Sequence, residues 1–100
     1  MRKMLIRPQA RVDLLEIWHY IANDSIAVAN AVGDELETAI RRLAESPGIG
    51  HMRPDVREPR YRFWTVYSYL IAYRYDDETL TVVRVIHGRR NFRQLFRQNP

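Results

Sequence analysis

From Pro8 to Asn23 apolar residues recur at Ala10, Leu14, Ile17, Trp18 and Ile21, with Arg11, Asp13 and Glu16 largely off that stripe. The spacing is that of a half-buried helix. Pro8 suits its first turn, where a missing N–H costs nothing. The short run Lys3-Met4-Leu5-Ile6-Arg7 before it reads as a strand. Asn23-Asp24-Ser25 supplies turn and N-cap chemistry, and a second stripe follows at Val28, Val32, Leu36, Ala39, Ile40 and Leu43 before Ser46-Pro47-Gly48 stops it. The two helices therefore form a hairpin. Gly33 inside the second costs roughly 1 kcal/mol relative to alanine, which favours a role in close approach of the first helix.

Residues 47–60 hold Pro47, Gly48, Gly50, Pro54 and Pro59 and read as a loop that carries Arg53, Arg57 and Arg60 from the helices to a sheet. Three β-rich runs follow, Tyr61 to Val66, Tyr69 to Tyr75 and Leu80 to His87, the last two joined by Asp76-Asp77-Glu78-Thr79. They predict an antiparallel meander. Beyond Arg89, the residues Phe92, Leu95 and Phe96 alternate with Arg90, Arg93 and Arg97 in the manner of a short amphipathic helix or a docking segment. The predicted order is β-α-α-β-β-β with a short C-terminal helix. This is an α+β domain in which a helical hairpin covers one face of a small antiparallel sheet and leaves the other open.

One hundred residues suffice for one domain, here residues 1–100, and not for a second with a cleft between. No apolar run approaches the ~20 residues that span a bilayer, and the start of the chain is too short in apolar residues for a signal peptide. The expectation is a cytoplasmic protein with no membrane partner. With no cysteine the chain has no disulfide, thiolate metal site or thiol nucleophile. Charge is unevenly spread: residues 1–50 carry six Arg and Lys against seven Asp and Glu, residues 51–100 ten Arg against five acids. The second half is the basic one, and its cations are the planar forks that pair with carboxylates and phosphates; a genome-wide bias toward arginine accounts for their number equally well, but not for their clustering.

Arg84-Val85-Ile86-His87-Gly88-Arg89-Arg90-Asn91 sets the chain's most tunable proton carrier beside its densest positive charge. Such a strand end could cut RNA, grip an acidic partner or seat a macromolecular target. His87 is either an acid or base there, or a strand-end group bonding a loop. The tyrosines of the Tyr69 to Tyr75 strand, Tyr73 among them, either stack on a partner or line the edge of the core. His19, His51 and His87 lack metal-site spacing, so no metal or other cofactor is expected. Metal-free RNA cleavage needs a base, an acid and cations for the developing charge. After His87 there is no Tyr, His, Lys, Asp or Glu, so the C-terminal segment can bind but offers no second proton carrier.

Four segments together resemble the RelE/ParE superfamily of toxins from bacterial type II toxin–antitoxin modules. They are Pro8-x-Ala10-x-x-Asp13-Leu14-x-x-Ile17-x-x-Tyr20-Ile21, Leu43-x-x-x-Pro47-x-x-Gly50-x-x-Arg53-Pro54, Tyr69-x-Ile71-x-Tyr73 and Arg84-Val85-Ile86-His87-Gly88-Arg89-Arg90. The resemblance implies a small toxin held inactive in a hetero-oligomer by an antitoxin encoded beside it, ParD-like and of ribbon-helix-helix type. RelE-like members cleave messenger RNA in the ribosome, whereas ParE-like members inhibit DNA gyrase and are tied to plasmid stabilisation. Lacking a tyrosine after His87 and poor in lysine, this chain looks more like ParE, a gyrase-binding toxin without chemistry of its own. Its target or antitoxin contacts are then expected at Arg53, Arg57, Tyr73, Arg84, His87, Arg89, Arg90, Phe92 and Phe96. The alternative is an endoribonuclease with His87 as acid or base and Arg53, Arg84 and Arg89 on the phosphate, and a third is an inactive member that only binds its antitoxin.

Overall fold

The computed structural model describes residues 1–53 and 60–88. Strand β1 (Lys3–Ile6) leads into α1 (Pro8–Ala22) and α2 (Ile26–Glu45), a single 3-10 turn at Pro47–Ile49 follows, and β2 (Arg62–Val66), β3 (Tyr69–Tyr75) and β4 (Thr79–His87) close the fold. Pro8 opens α1, and the Ser25 hydroxyl accepts the Val28 N–H at 3.1 Å to cap α2. Trp18 Nε1 donates to Asn30 Oδ1 at 2.9 Å, a polar tie between the two helices.

The sheet runs β1-β4-β3-β2. The meander β2-β3-β4 is antiparallel, but β1 pairs with β4 in parallel, from Lys3 opposite Thr79 to Ile6 opposite Val82. A parallel pair needs a long crossover, and the helical hairpin provides it. Leu36, Ile40 and Leu43 of α2 and Ala10 of α1 meet Ile71, Tyr73, Leu80, Val82 and Val85 in the main core. Val82 and Val85 are three apart, so a plain strand would turn them to opposite faces. The register slips where Ala72 pairs with Arg84 and Tyr73 with Val82, leaving Val83 as an extra residue, and this bulge brings both valines to the helices.

Three expectations change. The α2 stripe begins at Ala29, 1% exposed, and Val28 stands 51% exposed on the outside. A Cβ on Gly33 would meet nothing within 4 Å, so Gly33 is no close-packing point between the helices. The second face of the sheet is not open throughout, since Phe63, Leu70, Ala72 and Ile86 form a second buried cluster there. The C-terminal helix expected from Phe92, Leu95 and Phe96 lies outside the described residues.

Candidate functional site: a strand end tied to the first helix

Strand β1 stops at Ile6, so the last residues of β4 lose their neighbour along that edge. Helix α1 supplies a substitute. Asp13 accepts the Val85 backbone N–H at Oδ2, 3.0 Å away, doing for β4 what a strand carbonyl would otherwise do. The same carboxylate takes a fork from Arg84, Nε to Oδ2 at 2.7 Å and Nη2 to Oδ1 at 3.0 Å. Asp13 is 5% exposed. The reading of Asp13 as an outward residue therefore fails, for a physical reason legible in hindsight: Asp13 lies three residues after Ala10 and four before Ile17, within the turn of helix that faces the sheet. A lone acid there needs a buried cation. Arg84 fills that need, with its Nε and Nη2 donors turned onto the buried carboxylate.

His87 is half-buried at the end of β4 and directly opposite Tyr69 in the sheet, with the rings edge-on at 5.5 Å between centroids. Burial, with a smaller push from Tyr20, raises the Tyr69 hydroxyl above the usual tyrosine range, so it stays protonated. His87 is thus not the lone proton carrier that its surroundings in the chain suggest, since Tyr69 arrives from the neighbouring strand. Together with Glu16, Ile17, Tyr20 and Ile86 the two rings border a hollow of about 480 Å³ between α1 and the sheet end. Gly88 follows because its N–H donates to Ser68 O at 2.7 Å, and a Cβ would sit 3.2 Å from that same carbonyl.

Tyr73 leaves the set of surface contacts altogether, being 0% exposed. Its hydroxyl donates to Pro47 O at 2.5 Å and accepts the Gly50 N–H at 3.0 Å. Burial raises its pKa despite the opposing pull of the Gly50 hydrogen bond. Arg53 is half-buried and already engaged by other groups. Arg57, Arg89, Arg90, Phe92 and Phe96 lie outside the described residues. The three histidines stand apart, His19 exposed on α1, His51 stacked on Trp64 and His87 against Tyr69. Among the described residues no three His, Cys, Asp or Glu side chains gather as a metal site requires.

The model of the ParE toxin of the type II toxin–antitoxin system parDE matches residues 4–92 of the chain. The chain belongs to the ParE toxin family. It is 36% identical over 89 residues to Toxin ParE1 of Mycobacterium tuberculosis, covering 87% of this chain and 90% of that one. To Toxin ParE3 of Caulobacter vibrioides it is 32% identical over 69 residues, 69% and 68% of the two chains. Among solved structures, the chromosomal ParDE toxin–antitoxin system of P. aeruginosa shares the fold at a TM-score of 0.71 and 19% identity, over 87% of this chain and 96% of that one. The toxin–antitoxin complex RelBE2 of M. tuberculosis does so at 0.61 and 24%, over 86% and 96%.

In this ParE chain the four sequence segments that carry the family resemblance meet in pairs. Asp13 of the first holds Arg84 and Val85 of the fourth, and Pro47 and Gly50 of the second hold Tyr73 of the third. Much of what makes the chain look like ParE is therefore what makes it fold like ParE. Among the described residues a groove runs between the helices and the first strand. It is about 400 Å³, lies between α1, α2 and β1, has Ile6, Leu14, Ile17, Trp18 and Ile40 on its walls, and carries Arg11 and Arg41 among its charged residues.

Proposed function

We propose that this ParE-family toxin acts in the cytoplasm by binding DNA gyrase and blocking replication, with no chemistry of its own. The family match across residues 4–92 carries the reading. The commitment of Arg84 to Asp13 supports it, because a guanidinium forked onto a buried carboxylate is a poor phosphate clamp for RNA cleavage. Supercoiling by purified gyrase is the test. Saturating toxin should abolish it, and full supercoiling at saturation overturns the reading.

A cognate antitoxin, ParD-like with a ribbon-helix-helix start, neutralises the toxin in a hetero-oligomer by laying apolar side chains into the groove between α1 and α2. Buried apolar contacts dominate such affinity, while rim charges such as Arg11 and Arg41 steer the encounter. Leu14→Ala should weaken the complex, with the melting temperature measured alongside because a cavity alone costs ~2–5 kcal/mol.

The ribosome-dependent endoribonuclease gains one specific observation, the Tyr69 ring edge-on to His87, which brings a second proton carrier to the strand end. Primer extension on translated messenger decides it. Cleavage by wild type and none by His87→Ala establishes the nuclease, and equal traces from both end it.

A further inference from the structure

At the far end of the sheet from His87, on the face away from the helices, Leu5, Thr81 and Arg74 form one cross-strand row. Their neighbours Met4, Ile6, Leu80 and Val82 turn to the helical core, which fixes the direction of this row by alternation. The row runs into a depression of about 670 Å³ that Met52, Arg60, Arg62 and Tyr75 also border. None of these residues belongs to the strand end at His87 or to the groove between the helices.

Among the described residues that line this depression, three arginines stand against one acid. Arg74 is half-buried and makes no hydrogen bond or ion pair with a described residue. Arg62 spends one donor on Gly50 O at 3.1 Å and has others left. Arg60 stands beside them and is already engaged. The acid in the lining, Asp76, uses Oδ1 to accept the Glu78 and Thr79 N–H groups of the turn. Guanidinium groups cannot shed their charge when crowded. An arriving anion therefore relieves repulsion as well as forming its own hydrogen bonds.

The walls say which anion. Tyr75 already has two cations against its ring, Arg2 at 5.5 Å and Arg62 at 6.0 Å, with which a stacking nucleic-acid base would have to compete. Leu5, 46% exposed, and Met52, 56% exposed, give the depression apolar ground next to its arginines. That pairing fits carboxylates interspersed with apolar side chains better than it fits a phosphodiester chain.

We propose that this depression is a second anchoring point for the antitoxin, binding an acidic segment with apolar side chains through Arg62 and Arg74. The inference rests on the antitoxin partnership proposed above and adds a place on the surface and a sequence character to it. The antitoxin segment reaches past the helical groove, sets carboxylates on the two guanidiniums and rests an apolar side chain on Leu5 and Met52.

The experiment measures affinity of the purified antitoxin from the neighbouring gene for the full toxin chain and for Arg74→Glu and Leu5→Glu, each checked by its melting curve. Leu5 is exposed and Arg74 half-buried at the rim of the depression, and neither lines the helical groove. Affinity should fall by about tenfold or more in each at low salt, mostly through faster dissociation, and the gap should narrow at high salt. Well-folded variants that bind as tightly as wild type overturn the basic depression. A labelled single-stranded oligonucleotide that binds wild type, loses binding in Arg74→Glu and leaves antitoxin affinity untouched also overturns it, in favour of nucleic acid. No complex with the wild-type chain removes the antitoxin partnership itself, an outcome distinct from both.

Discussion

Two buried ties hold this molecule's layers in register, and they are built from opposite chemistry. At one end of the sheet Asp13 and Arg84 join α1 to β4 by a charged fork that also takes the Val85 N–H. Toward the other, Tyr73 joins β3 to the turn after α2 through a neutral hydroxyl that satisfies Pro47 and Gly50. The charged tie costs more to bury and gains only if every donor and acceptor is met, whereas the neutral tie asks little of its surroundings. The lesson is that neither side's net worth can be read from its bond lengths, only from what remains when a partner is removed.

The largest loss should come from breaking the charged tie on one side. Asp13→Asn leaves Arg84 without its counter-charge in a site where the side chain is 13% exposed, and chemical denaturation should show a loss of ~3–5 kcal/mol. Replacing both partners, as Asp13→Leu with Arg84→Met, should recover most of that, with a residue of ~1–3 kcal/mol for the orphaned Val85 N–H. A double variant as damaged as the single would mean that the carboxylate serves the strand edge more than the arginine.

Next in size is Gly50→Ala, whose Cβ would fall on the Tyr73 hydroxyl. Gly50 has φ of −71°, so glycine is required there for space and not for backbone freedom. Overpacking of this kind costs ~1–3 kcal/mol. Tyr73→Phe alone should cost less than Asp13→Asn, ~1–3 kcal/mol for the unpaired Pro47 and Gly50 groups. Combining the two should fall somewhat short of their sum, because removing the hydroxyl relieves the 2.0 Å contact while the ring carbons Cζ and Cε1 still stand 2.7 and 2.8 Å from the added Cβ. Strict additivity in denaturant titrations would break the picture of a single tie.

The smallest effect is a pH dependence of the neutral tie. The Tyr73 hydroxyl is raised in the folded chain, so its stabilisation is complete below the ordinary tyrosine pKa and is lost as pH climbs from there through the raised value. Ionisation removes the proton donated to Pro47 O. Melting temperature should therefore decline above about pH 10, and Tyr73→Phe should flatten part of that decline, the remainder belonging to Tyr69. An identical alkaline profile in the two proteins would remove Tyr73 from the account.

Much of the architecture was legible along the chain, and the reasons are local. The 3.6-residue stripes gave α1 and α2, Pro8 and Ser25 gave their starts, and β3 ran from Tyr69 to Tyr75 as its alternation indicated. Misreadings fell where a distant segment decides a residue's surroundings. Asp13 looked solvated because its cation is 71 residues away, and Tyr73 looked like surface because the turn that buries its hydroxyl lies 26 residues upstream. Tyr69 was missed as a neighbour of His87 because the two are joined by register across the sheet and not by proximity in the chain.

What the chain determined by itself was the set of helices and strands and the basic second half, since each follows from spacing within a few turns or from composition, together with the motifs that carry its resemblance to ParE. What only the tertiary structure decided was the use of each polar side chain. Burial and pairing depend on which segments meet, and so Arg84 became part of the frame while Arg74 was left without a hydrogen-bonded partner among the described residues.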